Sequence, residues 1–150
     1  MTETRLFPAI LFLLLFLIIV PHPVCAAEWV NYSSSDLAKL YYDKSSIKEE
    51  GTLARVWEKE IYNLEGKLDT YQFLKSTGRA PKSPDMVSYS LLLTEFDCIK
   101  NKLRTASYKT YDQNDEMIYS APGLPSEWDE ILPESVAGHL KKVVCSGSSQ

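Results

Sequence analysis

Short runs in which apolar and polar residues alternate recur along most of the chain after residue 27. This period of two is typical of β-strands that bury one face, and charged or small polar residues bound the runs as tight turns do. The pattern predicts strands at 28–32, 37–43, 52–62 and 116–120, and a short one in "WDEIL". The short links among the first three, including a charged turn at "KEEG", imply antiparallel neighbours.

The stretch "LTEFDCIKNKLR" predicts a further hairpin. A two-residue turn at "KN" would place Cys98 opposite Leu103 and Asp97 opposite Arg104, so that opposite charges face each other across the strands. Lys-Asn is a weaker turn signal than Asn-Gly, and a register displaced by one residue stays open. The residues predicted to face the core are Leu92, Phe96 and Cys98.

The segment 63–87 is too long for a structureless connection in a compact domain. Within it, "DTYQFLKSTG" predicts a short helix, with Asp69 as the residue that caps its first turn and Gly78 at its end. Leu68, Tyr71 and Leu74 would lie near one face of this helix.

Apolar residues with helical spacing also occur near the C-terminus. Pro133 suits a first helical turn, and an apolar stripe follows it, made of Val136, Leu140, Val143 and Val144. We predict that this helix ends near Val144 and that Cys145 turns inward from its end. The predicted fold class is therefore α+β: an antiparallel β-sheet of about six strands, with a C-terminal α-helix packed on it and a short helix in the 63–87 connection.

The N terminus follows a different hydrophobic pattern. An apolar run of twelve residues, 9–20, lies between Arg5 and two prolines, which is the order of a secretory signal peptide. A bilayer-spanning helix needs about 20 residues, so an uncleaved anchor is the weaker alternative. Cleavage after Ala26 or Ala27 would leave a single domain, 27–145, and a disordered tail, 146–150. We expect an exported protein, periplasmic or at the cell surface or secreted.

The chain has three cysteines, and cleavage would remove Cys25. A lipoprotein would need a small residue directly before that cysteine, whereas Val24 stands there. We therefore expect no lipidation and no stable membrane anchor after cleavage, with lipidation as the alternative. Cys98 and Cys145 remain, and in an oxidising compartment a lone pair favours a disulfide over two buried free thiols.

Charge and motifs exclude several classes of function. Without residues 1–26 the net charge is still −4, which does not suit a nucleic-acid-binding protein. His139 is the one histidine after the signal segment, and it lies beside the apolar stripe of the last helix. No nucleophile elbow, phosphate loop, dinucleotide fingerprint or zinc spacing occurs. We predict no enzyme activity and no cofactor.

Two acidic clusters are weak candidates for chemistry. "DQNDE" places Asp112, Asn114 and Glu116 at alternate positions, as a calcium loop begins. Met117 then occupies the position where such a loop needs glycine, so we predict no metal site. Glu127, Asp129 and Glu130 resemble paired hydrolytic carboxylates, but three acids in a polar turn are more often solvated.

One basic segment stands out in this acidic chain. Five residues of 63–87 combine rings with positive charge, namely Tyr71, Phe73, Lys75, Arg79 and Lys82. Basic and aromatic residues together suit contact with an acidic protein or a glycan, because charge speeds encounter and rings bury area. The alternative is a solvated connector. We also consider an accessory protein that would be held by its sheet edge.

Several short pieces in order make the chain similar to the surface-adhesin protein E family of bacterial envelope proteins. They are "WV", "YYDKSSI" leading into "ARVW", "EFDC", "PSEW", "ILPES" and the terminal "VVC". The resemblance spans nearly the whole chain after the signal segment. It implies an antiparallel sheet of about six strands with a C-terminal helix packed on it, and a bridge between the two matching cysteines, Cys98 and Cys145.

The same resemblance implies a function. A family of surface adhesins implies an exported binding module that contacts a protein or glycan partner, with a host matrix glycoprotein as one candidate, as a monomer or a homodimer. A periplasmic accessory or structural protein is the alternative. The pattern His22, Pro23, Val24 before Cys25 departs from the lipoprotein signal of the family's namesake, which is consistent with unlipidated export.

Overall fold

The structure is a computed structural model that describes residues 26–123 and 127–146. Most of the predicted signal segment, 1–25, and most of the predicted tail, 147–150, lie outside the described residues. So do residues 124–126 of the "APGLPSEW" crossing. The described part confirms the α+β class, since an antiparallel sheet carries both a C-terminal helix and a helix within 63–87.

Eight strands lie within the described residues: β1 (Trp29–Ser34), β2 (Ala38–Asp43), β3 (Lys48–Glu50), β4 (Leu53–Tyr62), β5 (Tyr89–Asp97), β6 (Lys102–Tyr111), β7 (Met117–Pro122) and β8 (Asp129–Glu130). Six of them form the main path β1-β2-β4-β5-β6-β7, and every pair is antiparallel. β3 pairs with β4 and β8 pairs with β6. The predicted charged turn "KEEG" is therefore largely β3, and the predicted last strand is β8.

The register of the β5–β6 hairpin differs from the predicted one by two residues. Asp97 pairs with Lys102 and Phe96 pairs with Leu103, so the connection has four residues rather than two. Cys98 therefore lies in the loop and not opposite Leu103, and that prediction was wrong.

Local hydrogen bonds explain the longer loop. The Asp97 carboxylate accepts the backbone N–H groups of Ile99 at 3.2 Å and Lys100 at 2.9 Å, and Asn101 adopts a φ of 57°. An Asp that closes its own turn competes with continued strand pairing. The charge pair across the hairpin is then Arg104 with Glu95, at 2.6 Å between nitrogen and oxygen, instead of Arg104 with Asp97.

The two α-helices among the described residues begin at other caps than predicted. α1 (Leu64–Ser76) starts before Asp69, because the Asn63 side chain accepts the Gly66 N–H at 3.0 Å. α2 (Val136–Val144) starts after Pro133, because Ser135 Oγ accepts the Gly138 N–H at 3.1 Å. The predicted ends are close to the observed ones. Gly78 has a φ of 70° just after α1, and Cys145 is the C-cap of α2.

Both helices pack on one face of the sheet, which we call the inner face. α2 covers one end, where Leu140 and Val144 join the core cluster with Val56 and Phe96. α1 covers the other end, where Leu74 is fully buried. The predicted stripe of α2 is only half correct, because Val136 is 37% exposed and Val143 is 41% exposed.

Candidate functional site

A disulfide joins Cys98, in the loop after β5, to Cys145, at the end of α2, with their Cα atoms 5.7 Å apart. It confirms the predicted pairing. Both cysteines pack against the core cluster, so the bridge closes the end of the sheet over which α2 lies. The bridge tethers the C-terminal end of α2 to the loop after β5.

The sheet face opposite the two helices, which we call the outer face, is rich in aromatic and cationic side chains. Register places three rows of directly opposed residues on it: Trp57, Leu93 and Ser107; Lys59, Leu91 and Lys109; Ile61, Tyr89 and Tyr111. Within the described residues, neither α-helix packs on this face, because both contact the alternate positions of the same strands. The outer face is therefore the broad open surface of the domain.

Two lysines of the outer face, Lys59 and Lys109, lie over its rings. Lys59 Nζ is 4.0 Å from the centroid of the Tyr89 ring and 5.9 Å from that of Trp29, and Lys109 Nζ is 5.5 Å from that of Trp57. The Tyr89 and Tyr111 rings stack, with centroids 5.0 Å apart. Such contacts hold long lysine side chains along the surface while the ammonium stays accessible to water.

The two lysines form no ion pair with any residue in the described ranges. Tyr89 lies near them, and its hydroxyl donates a hydrogen bond to the Asp115 carboxylate. Burial of the phenol and the neighbouring carboxylate raise the pKa of Tyr89 to about 12. The phenol therefore stays neutral at physiological pH. The centre of the outer face thus carries positive charge on a chain whose net charge is negative.

The five residues predicted in the basic segment are divided between α1 and the connector after it. Lys75, Arg79 and Lys82 are exposed, and Tyr71 is half-buried. Phe73 is 46% exposed, but its ring meets two sheet tyrosines edge to face, with centroids 6.4 Å from Tyr108 and 5.8 Å from Tyr119. Phe73 thus helps to attach α1 to the inner face, whereas the three cations are exposed to solvent.

The predictions made from the sequence did not include the outer face as a candidate contact surface. A signal for it exists in "ARVWEKEIY", where both alternate sets of positions contain large apolar or aromatic residues. A strand with only one buried face does not need this second set. The segment 63–87 was predicted as a contact surface because its charges are close together in sequence. Lys59 and Lys109 are brought to one face only by the register of β4, β5 and β6.

The inner face contains two neighbouring glutamates, Glu58 and Glu60, on β4. Burial raises the pKa of both, and the negative charge of Glu58 raises that of Glu60 further. The Tyr32 hydroxyl donates a hydrogen bond to Glu58, and burial with the adjacent carboxylate holds the Tyr32 pKa well above its usual range. No cationic side chain in the described ranges pairs with either glutamate.

The acidic clusters considered from the sequence have structural partners. Asp112 accepts the backbone N–H groups of Asn114 and Glu116 at 2.7 and 2.9 Å, which closes the β6–β7 turn and lowers the Asp112 pKa. Asp129 and Glu130 form β8. His139 is exposed on α2. Within the described residues, no group of three or more His, Cys, Asp or Glu side chains is arranged to hold a metal ion.

The architecture defines a class of small α+β domains in which a disulfide tethers a terminal helix to an antiparallel sheet. A crystal structure of Haemophilus influenzae protein E, crystal form II, shares this fold, with a TM-score of 0.53. The match covers 88% of this chain and 98% of that chain at 13% sequence identity. At this low identity it supports a shared fold and nothing further. No curated protein matches the chain by sequence.

Residues 29–146 match the family described as Surface-adhesin protein E, and the chain belongs to this family. Membership supports an adhesin-like binding module and implies an exported or cell-surface protein. Neither α-helix in the part of the chain that the structure describes is long and apolar enough to cross a membrane.

Proposed function

We propose that this protein is an exported binding module that contacts an anionic glycan through the outer face of its sheet, without catalysis. The observation that carries the proposal is the placement of Lys59 and Lys109 over aromatic rings on an open face. Sulfate or carboxylate groups of a glycan would meet the ammonium groups, and the pyranose rings would lie on the aromatic surface.

Charge complementarity favours a glycan over an apolar partner. The outer face carries cations on a chain of net charge −4, so an anionic ligand would be attracted to this face more than to the acidic parts of the surface. The rings are held in place by stacking and by cation–π contacts, so little side-chain freedom is lost on binding. A protein partner, including a host matrix glycoprotein recognised through its polypeptide, is the competing outcome.

The basic segment is a second candidate surface, and paired charge reversals separate the two. Lys59→Glu with Lys109→Glu changes the outer face, and Lys75→Glu with Lys82→Glu is a matched control that changes net charge equally. We expect the first pair to weaken retention on immobilised heparin by about tenfold or more and to flatten its salt dependence. We expect the second pair to have little effect, and both variants to keep the thermal stability of the parent.

Three other results would contradict parts of this proposal. If only the Lys75 and Lys82 reversals weaken retention, the basic segment is the contact surface. If the parent protein binds a matrix glycoprotein equally well after enzymatic removal of its glycans and ignores heparin, the partner is a protein. Hydrolysis of the polysaccharide by the protein would contradict the non-catalytic part of the proposal.

A further inference from the structure

A cleft of about 480 Å³ opens between α1 and the inner face of the sheet. Its walls come from the β1–β2 turn, β2, β4, α1 and β6, so five separate parts of the fold shape it. Small-molecule sites typically have volumes of roughly 300–1,000 Å³. The cleft is therefore large enough for a small organic ligand, and it lies on the opposite side of the sheet from the proposed glycan surface.

Three aromatic rings line the cleft, Phe73 from α1 and Tyr62 and Tyr108 from the sheet. The Phe73 ring stands at 89° to that of Tyr108. The Tyr62 and Tyr108 hydroxyls are 3.2 Å apart, and both contact the Ser90 hydroxyl, at 2.9 and 3.0 Å. This network fixes the two tyrosines before any ligand arrives, so a ring-lined site exists without rearrangement.

The cleft also contains carboxylates that have no cationic partner. Glu60 lines it from β4 and accepts a hydrogen bond from Tyr62 at 3.3 Å, while Asp69 lines it from α1. Neither pairs with a Lys, Arg or His among the described residues. Glu58 lies two residues before Glu60 on the same face of β4, and its negative charge acts on Glu60. Asp69 is exposed, whereas Glu60 is partly buried. A partly buried carboxylate without a counter-ion is costly, and a cation bound beside Glu60 would relieve that cost.

We propose that this cleft binds a small organic ammonium ion, with Glu60 as its counter-ion and the three rings around its carbon chain. The π faces of aromatic rings attract cations, and a carboxylate with hydroxyl neighbours accepts the hydrogen bonds of a primary ammonium group. The volume and the aromatic lining suit an alkylamine, whereas a hard metal ion would need a compact set of oxygen ligands. Asp69 would meet the second charge of a diamine.

Titration calorimetry with putrescine as the probe, and butanol as a neutral probe of similar size, tests the proposal. We expect saturable binding of putrescine and none of butanol. Glu60→Gln should weaken putrescine binding by about tenfold or more, because the amide keeps the shape and loses the charge. Glu65→Gln, an exposed residue in the first turn of α1, is the matched control and should change affinity by less than about twofold.

Phe73→Leu gives a second measurement that does not depend on β4. It removes one ring from a half-exposed position and keeps an apolar side chain against the sheet, and it should weaken putrescine binding by at least about threefold. Absence of saturable putrescine binding up to about 10 mM would overturn the proposal. So would an affinity that both Glu60→Gln and Phe73→Leu leave unchanged. Heparin retention should be the same in all these variants, because the outer face is intact.

Discussion

Removal of the disulfide is the perturbation whose cost the structure allows us to calculate most directly. The bridge closes a loop between Cys98 and Cys145, which are 47 residues apart. In the chain-entropy model, cross-linking at this separation reduces the freedom of the unfolded chain by about 4 kcal/mol at 25 °C. We therefore expect Cys98→Ser with Cys145→Ser to lower the free energy of unfolding by ~3–4 kcal/mol.

The native fold should survive this loss. Leu140 and Val144 of α2 are 1% and 0% exposed, and they would remain packed against Val56 and Phe96 without the bridge. The helix therefore stays attached by burial, and the main effect falls on the unfolded state. For a domain of this size, a loss of that order corresponds to a drop in Tm on the order of 10–20 °C.

Urea denaturation followed by tryptophan fluorescence and by far-UV circular dichroism measures this cost. The double variant avoids a free thiol, and the parent protein under a reducing agent provides the control, since it should lose a similar amount. A loss of less than about 1 kcal/mol would refute the entropic reasoning. Loss of the native circular dichroism spectrum in the absence of urea would refute the claim that burial alone holds α2.

Two further predictions concern the inner face. Glu58→Gln keeps an acceptor for Tyr32 and removes a buried charge. Burial raises the pKa of Glu58 in the native state above 4.5. The parent protein therefore loses stability as pH rises through that native pKa, because the buried carboxyl must ionise. The variant should have a higher Tm than the parent at about pH 7 and lose this advantage near pH 4. An equal gain at both pH values would contradict this. In urea unfolding, Leu140→Ala should lower the free energy of unfolding by ~2–5 kcal/mol, whereas Val143→Ala, on the exposed side of α2, should lower it by less than about 1 kcal/mol. Equal losses would contradict the observed orientation of α2.

The strands and the two helices were predictable because their signals are local. Alternation of apolar and polar residues identified β4 and β7 without any knowledge of their neighbours, and the apolar spacing before Cys145 identified α2. The disulfide followed from counting cysteines once Cys25 was assigned to the signal segment. Local chemistry did not choose between competing caps, however. Asn63 and Asp69 are both good cap residues, and α1 begins at the first because the chain leaves β4 there.

The hairpin register and the candidate surfaces were decided by tertiary structure. Asp97 closes a four-residue loop, and this shift moves Cys98 off the strand and toward α2. Lys59 and Lys109 are far apart in sequence, and only strand pairing places them on one face. The sequence determined which residues form strands, because the period of two belongs to each segment alone. Which face stays open, and which carboxylates are left without a cation, depended on where both helices pack, and that is a property of contacts between distant segments.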